Sequence, residues 1–286
     1  MNRKLWHNPM ILSACVILLF YAVVAFLAPE IVPNNPDEIH LDRLLGPANA
    51  TYPLGTDFLG RCNYSRLIIA SRHTLGSALL IEGIALIVGV IMGGLAGYFK
   101  GWFDKAMISI IDILLAFPGI ILALVIAGML GPGMKNLIIA VSAVHWIGYA
   151  RIVRNMVMSV KEKEFVKASV AVGSKNMQIV FRHIIPNILP FILVYATLNI
   201  GTLILNIAGL SFLGLGVQPP TAEWGSMLNE ARPYFRDYPG LMLLPGAAIL
   251  LIGLAFQLLG EGLRDIMNPR VSQLGLEKRI LETIEE

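Results

Sequence analysis

Residues Glu164 to Asn187 read EFVKASVAVGSKNMQIVFRHIIPN, and their physical reading is two short helices joined at Gly173. Glycine tolerates the left-handed backbone that ends a helix. Upstream of it Ala168, Ser169 and Ala171 are small, so the first helix can bring its backbone close to another protein surface. Downstream, Pro186 and Pro190 mark the start of a long apolar stretch. The segment is therefore a basic, structured connection hung between two apolar blocks.

Working outward from that connection, charged residues divide the chain into six apolar spans: Met10–Ala28, Thr74–Phe99, Ala106–Leu130, Leu137–Ser159, Leu189–Leu213 and Leu241–Gly260. Each approaches the roughly 20 residues a helix needs to cross a bilayer. The fourth is the shortest without charge. Its Asn136–Ala150 stretch reaches only roughly 22 Å at 1.5 Å per residue, so Arg151 and Arg154 must snorkel or lie sheltered. The composition agrees: 56% of the 286 residues are hydrophobic and 14% charged, against roughly 25% charged in a soluble domain. Mean hydropathy is +0.70. The fold class expected is an all-α membrane protein with six transmembrane helices.

The basic start, Arg3-Lys4, ahead of the first span has the charge layout of a signal peptide. An h-region of about 7–15 residues is shorter than this block, and no small-x-small cleavage site follows cleanly. Pro29 and Pro33 close the segment, which reads as a retained signal-anchor helix. Net charge is +3, but the basic residues lie between apolar blocks rather than on a soluble domain, so nucleic acid is not implied. Cys15 sits in an apolar block and Cys62 in a polar loop, with neither metal-ligand nor redox spacing.

Six spans put both termini on one side, and Lys/Arg asymmetry selects which. With the N-terminus inside, fifteen basic residues fall on inner segments and seven on outer ones, an N-in, C-in arrangement. The resulting division is a cytoplasmic N-terminus (1–9), a first transmembrane helix (10–28), an extracytoplasmic segment (29–72), a transmembrane core (73–262) containing the inner loop 160–187, and a cytoplasmic tail (263–286). Cys62 and Trp224 would then face outside, Gly173 and Ile280 inside. The outer segment carries five prolines between Pro29 and Pro53 and is too long for a passive connection.

The inner loop resembles the EAA loop of type I ABC importer permeases, in which a Gly is followed thirteen residues later by Pro; Gly173 and Pro186 keep that spacing. Glu164-Phe165-Val166 and His183-Ile184-Ile185-Pro186-Asn187 look most like the dipeptide, oligopeptide and nickel branch. Four more blocks resemble that branch: LGTDFLGR (Leu54–Arg61), DILLAFPG (Asp112–Gly119), YARIVR (Tyr149–Arg154) and SFLGLGVQPP (Ser211–Pro220). The sequence departs from the family at Lys167, where the EAA triplet has its first Glu, at Ser169, its last Ala, and at Cys62, which usually is Asp.

The resemblance implies that Glu164, Ala168, Gly173, His183 and Pro186 form the loop that docks on a separate ATPase, whose closure rocks the helices. It implies as partners a homologous second permease, two ABC ATPase subunits, an extracytoplasmic substrate-binding protein and the bilayer of a bacterial cytoplasmic membrane. ATP and Mg would belong to the ATPases, with no cofactor bound by this chain and no catalysis in it. No GxxxxGK[ST] phosphate loop occurs in the sequence.

Glu82, Asp112, His145, Asn199, Asn206 and Gln257 lie at membrane depth, where an ionisable group costs about 2.5–3.5 kcal/mol on insertion scales and so faces a bundle or cavity. Asp112 reads more readily as an anchor for backbone or a basic residue. Asn199 and Asn206, seven apart on one face, suit interhelical hydrogen bonds better than a lined path. His145 either lines a path or bonds a neighbouring helix. His145-Trp146, Ala208-Gly209 and Thr221-Ala222-Glu223-Trp224 look more like the nickel branch. The candidate path is then His145, Glu82, Asn206, Glu223 and Trp224, with no fixed metal site and with Glu223 and Trp224 guiding cargo in from outside. The cargo implied is nickel, cobalt or a metal–chelator complex, the alternative being a dipeptide or oligopeptide. A channel or proton-coupled carrier predicts inverted repeats or a chain of titratable groups instead, and a scaffold leaves the loop signature unexplained.

Overall fold

The computed structural model describes residues 8–267; Ile280 and most of the expected C-terminal tail lie outside the described residues. Helix α1 (Pro9–Ile31) starts at Asn8, whose side chain accepts from the Met10 N–H at 3.0 Å. It continues past Pro29, which falls in the last turn and so costs only one backbone bond. Helix α2 (Asn63–Phe99) follows the outer segment and has 37 residues. Two shorter helices, α3 (Gly101–Leu115) and α4 (Gly119–Leu130), precede α5 (Met134–Lys161). The inner hairpin comprises α6 (Glu164–Ala171) and α7 (Asn176–Ile179). Then come α8 (Ile185–Phe212), the short outer α9 (Trp224–Ala231) and α10 (Gly240–Met267).

Among the described residues five helices are long and apolar enough to span a membrane, and α3 with α4 makes a sixth crossing bent by 87°. The expected straight span Ala106–Leu130 is thus two helices. Pro118 cannot donate a backbone bond and drives Phe117 out of helical geometry, which breaks the ladder there.

The second span likewise differs, beginning at Asn63 rather than Thr74. At roughly 55 Å, α2 exceeds the ~30 Å hydrocarbon core, and Arg66 and Arg72, expected in the segment before the span, are helical residues of its first turns.

Helices α2 and α5 form the centre of the bundle. Gly89, Gly93 and Gly97 make a small-residue stripe on α2, and a Cβ at any of them would collide with Tyr149, Ala150 or the Arg154 carbonyl of α5. With lipid tails as apolar as leucine, such close backbone approach supplies the packing that holds two spans together. Near the start of α2 the buried Trp224 meets Tyr21 edge-on at 5.7 Å and donates its indole N–H to the Leu67 carbonyl at 3.1 Å, tying α9 to α1 and α2.

Between α7 and α8 the chain does not break. Residues Val180–Ile184 form one wide π turn in which the Ile185 N–H bonds the Val180 carbonyl. Pro186 has no N–H to continue the normal register, so the slip absorbs the missing donor. The second hairpin helix therefore runs directly into the fifth span, where two separated elements were expected.

Candidate functional site

At its N-terminal end α2 begins inside a buried ionic cluster. Arg61, fully buried, donates to Asp57 at 2.6 Å and to Glu230 at 2.7 Å, while Arg66 donates to the same Glu230 oxygen at 2.9 Å and to the Pro220 carbonyl at 2.9 Å. The LGTDFLGR block thus folds back on itself. Asp57 accepts the Leu59 and Arg61 N–H groups, each at 2.9 Å. Cys62, expected in an open loop, is buried and its sulfur accepts from Asn34 at 3.4 Å.

Glu223 and Trp224 do not stand open as guides for cargo. Glu223 is fully buried and caps α9, accepting the Gly225 and Ser226 N–H groups at 2.9 Å each, and it accepts the Thr74 hydroxyl at 3.1 Å. An N-cap carboxylate is an orphan-donor acceptor.

At mid-depth the candidates do converge. His145 Nε2 lies 2.9 Å from one Glu82 oxygen, and the Tyr149 hydroxyl donates to the other. Glu82 is buried behind them. His145, Tyr149, Tyr195, Asn199 and Asn206 line one cavity of about 360 Å³ between α3, α4, α5 and α8. Asn199 donates to the Tyr195 carbonyl of its own helix at 2.8 Å, and Asn206 lies beside it on the cavity wall; the interhelical hydrogen bonds expected of the pair do not occur among the described residues. Tyr149 and Tyr195, edge-on at 5.2 Å, went unpicked. Their signal was the i,i+4 spacing to His145 and Asn199, which places all four on cavity-facing stripes.

In the hairpin Gly173 joins α6 to α7 with φ +79°, the left-handed geometry expected of it. Val166, Ile179 and Ile184 are buried and anchor the hairpin to the bundle, as does the Tyr98 hydroxyl, which donates to Asn176 at 3.0 Å. The opposite face presents Phe165, Val170, Val172, Met177 and Phe181 to the exterior, Val172 at 81% exposure. Ala168 and Pro186 are exposed and His183 half-buried on the same hairpin. Lys167 pairs with Glu164 at 3.2 Å across one exposed turn, an interaction of little energetic weight.

Comparison with known proteins fits this architecture. Residues 85–273 match the family described as "Binding-protein-dependent transport system inner membrane component". The chain belongs to that family. It is 42% identical over 259 residues to the nickel transport system permease protein NikC of Escherichia coli, covering 90% of this chain and 93% of the relative. The dipeptide transport system permease protein DppC of Alkalihalophilus pseudofirmus is 39% identical over 270 residues, 94% of this chain and 88% of that one. The glutathione transport system permease protein GsiD of Pectobacterium atrosepticum is 37% identical over 271 residues, 94% and 90%. The chain is thus a multi-pass membrane protein, a type I ABC importer permease of the peptide/nickel group.

Proposed function

We propose that this permease passes nickel, cobalt or a similar ion held in a small chelate, driven by ATP hydrolysis in two partner ATPases. A second permease completes the passage and a substrate-binding protein delivers the cargo. The observation that carries the cargo reading is His145 on a polar cavity at membrane depth, held by Glu82, together with likeness to a nickel permease. Imidazole suits nickel chemistry. Both donors are engaged with each other and with Tyr149, so a complex bringing its own ligands fits the passage better than a bare ion.

Orientation follows the Lys/Arg asymmetry, with both termini and the Gly173 hairpin in the cytoplasm. An exposed apolar hairpin face needs a cover, and a groove on the ATPase is the cover that this reading assigns. Single-cysteine variants test it, and native Cys62 is a poor reporter because it is buried. Leu41→Cys, at a 73%-exposed position, should react with an impermeant thiol reagent on intact cells and Val172→Cys only after permeabilisation; external labelling of position 172 contradicts the topology.

Dipeptide import is the second reading, favoured by the 39% identity to a dipeptide permease. Radiolabelled nickel uptake, with and without chelator, measured beside dipeptide uptake in the same cells separates the two. His145→Ala should lower metal uptake severalfold with complex assembly intact. Dipeptide uptake without any metal uptake overturns the metal cargo and leaves the importer standing.

A further inference from the structure

Below the His145 cavity the crevice between α3 and α5 holds a second one, of about 160 Å³, lined by Ile108, Ile111, Asp112, Arg151, Arg154 and Asn155. The two cavities share their walls: Leu114 and Leu115 of α3 line the upper, Asp112 the lower, and on α5 Arg151 follows His145 by six residues, roughly 9 Å of helix. Cargo leaving the upper cavity along these helices meets the lower one next.

The lower cavity's two arginines differ. Arg154 is occupied, donating to Asp104 at 2.8 Å and to Asn155 at 3.2 Å. Arg151, one turn earlier, is exposed at the cavity's edge and makes neither a hydrogen bond nor an ion pair among the described residues. A guanidinium stays charged in any protein setting, and its planar fork matches a carboxylate in two parallel hydrogen bonds. Unpaired on the cavity wall, it favours an anion that arrives over the empty alternative. Asp112, also without an ion-pair partner among the described residues, lines the same space. Its opposing charge weakens the hold on an anion, which suits a station that must release what it takes.

We propose that Arg151 is a second station on the cargo path, receiving a carboxylate of the cargo as it leaves the His145 cavity for the cytoplasm. The inference rests on the path reading above and narrows the cargo to a carboxylate-bearing species, whether a chelated metal or a peptide.

The test uses the complete complex, with both permeases, ATPases and loaded binding protein, in proteoliposomes. Nickel citrate and a radiolabelled dipeptide are the probes, and the vesicles contain phosphatidylcholine with or without phosphatidylglycerol. Cargo accumulated per ATP hydrolysed should fall about tenfold in Arg151→Gln, the factor expected for one charge-assisted hydrogen bond pair. It should fall further in Arg151→Glu and stay near wild type in Arg151→Lys, in both vesicle types and for whichever probe the wild type accumulates. An unchanged ratio in Arg151→Gln overturns the proposal. So does a loss confined to vesicles with phosphatidylglycerol, which assigns Arg151 to lipid headgroups, and so does an equal loss in Arg151→Lys. His145→Ala, run in parallel, reports on the upper cavity alone: normal uptake there with a deficient Arg151→Gln removes His145 from the path and keeps Arg151 on it.

Discussion

The two ends of α2 handle their surroundings in opposite ways. At the start, Arg61, Arg66, Asp57 and Glu230 close their charges largely on one another, and Glu223 closes on the turn that it caps. Near the finish, where Tyr98 reaches Asn176, the hairpin buries one face and leaves Phe165, Val172 and Phe181 uncovered. The first end pairs its charges within this chain, whereas the hairpin end leaves an apolar face uncovered among the described residues. Stability should therefore reside outside and coupling inside.

That division breaks most visibly at the outer cluster. Arg61→Ala leaves Arg66 as the one remaining arginine against both Asp57 and Glu230, and removing one partner of a buried ion pair costs up to about 3–5 kcal/mol. The expected outcome is a large loss of monodisperse protein in detergent, read by fluorescence-detected size exclusion. Recovery at the wild-type level contradicts a self-contained outer end.

A smaller effect is expected at the cap. Glu223→Ala frees the Gly225 and Ser226 N–H groups and the Thr74 hydroxyl, with a cost of about 1–2 kcal/mol. A modest drop in melting temperature with cargo selectivity unchanged supports the capping role; altered selectivity at constant melting temperature restores Glu223 to the path.

The inner face should show the smallest change in stability. Val172→Ser acts on an exposed side chain, so the fold should move by no more than about 0.5 kcal/mol while stimulated ATPase falls. Equal losses of both would erase the distinction between the two ends.

Much of this was legible in the sequence where one signal dominates. Long apolar blocks marked the spans, and a glycine between small-residue and basic segments marked the hairpin turn, which Gly173 makes at φ +79°. Charges misled where partners come from far along the chain. Arg66 reads as part of the 29–72 loop, but its neutralising Glu230 lies 164 residues away, so the helix begins before it. Glu223 read as free because Thr74, 149 residues distant, gives no local signal. Phe117-Pro118 carried the bend in plain view, yet hydropathy averaged over the segment runs across it. The cavity was half legible: His145, Glu82 and Asn206 were singled out for polarity at depth, whereas Tyr149 and Tyr195 pass as ordinary apolar residues until the helices are packed.

The coupling role of the hairpin is tested most directly by Gly173→Val in the assembled complex. Valine is disfavoured at this backbone geometry by roughly 1–2 kcal/mol, and no neighbouring atom lies within 4 Å of the new Cβ, so the strain stays in the turn and the bundle persists. ATPase activity stimulated by the loaded binding protein should drop severalfold while the melting temperature of the permease holds. Full stimulation in that variant, with the same folded complex recovered, would contradict the account.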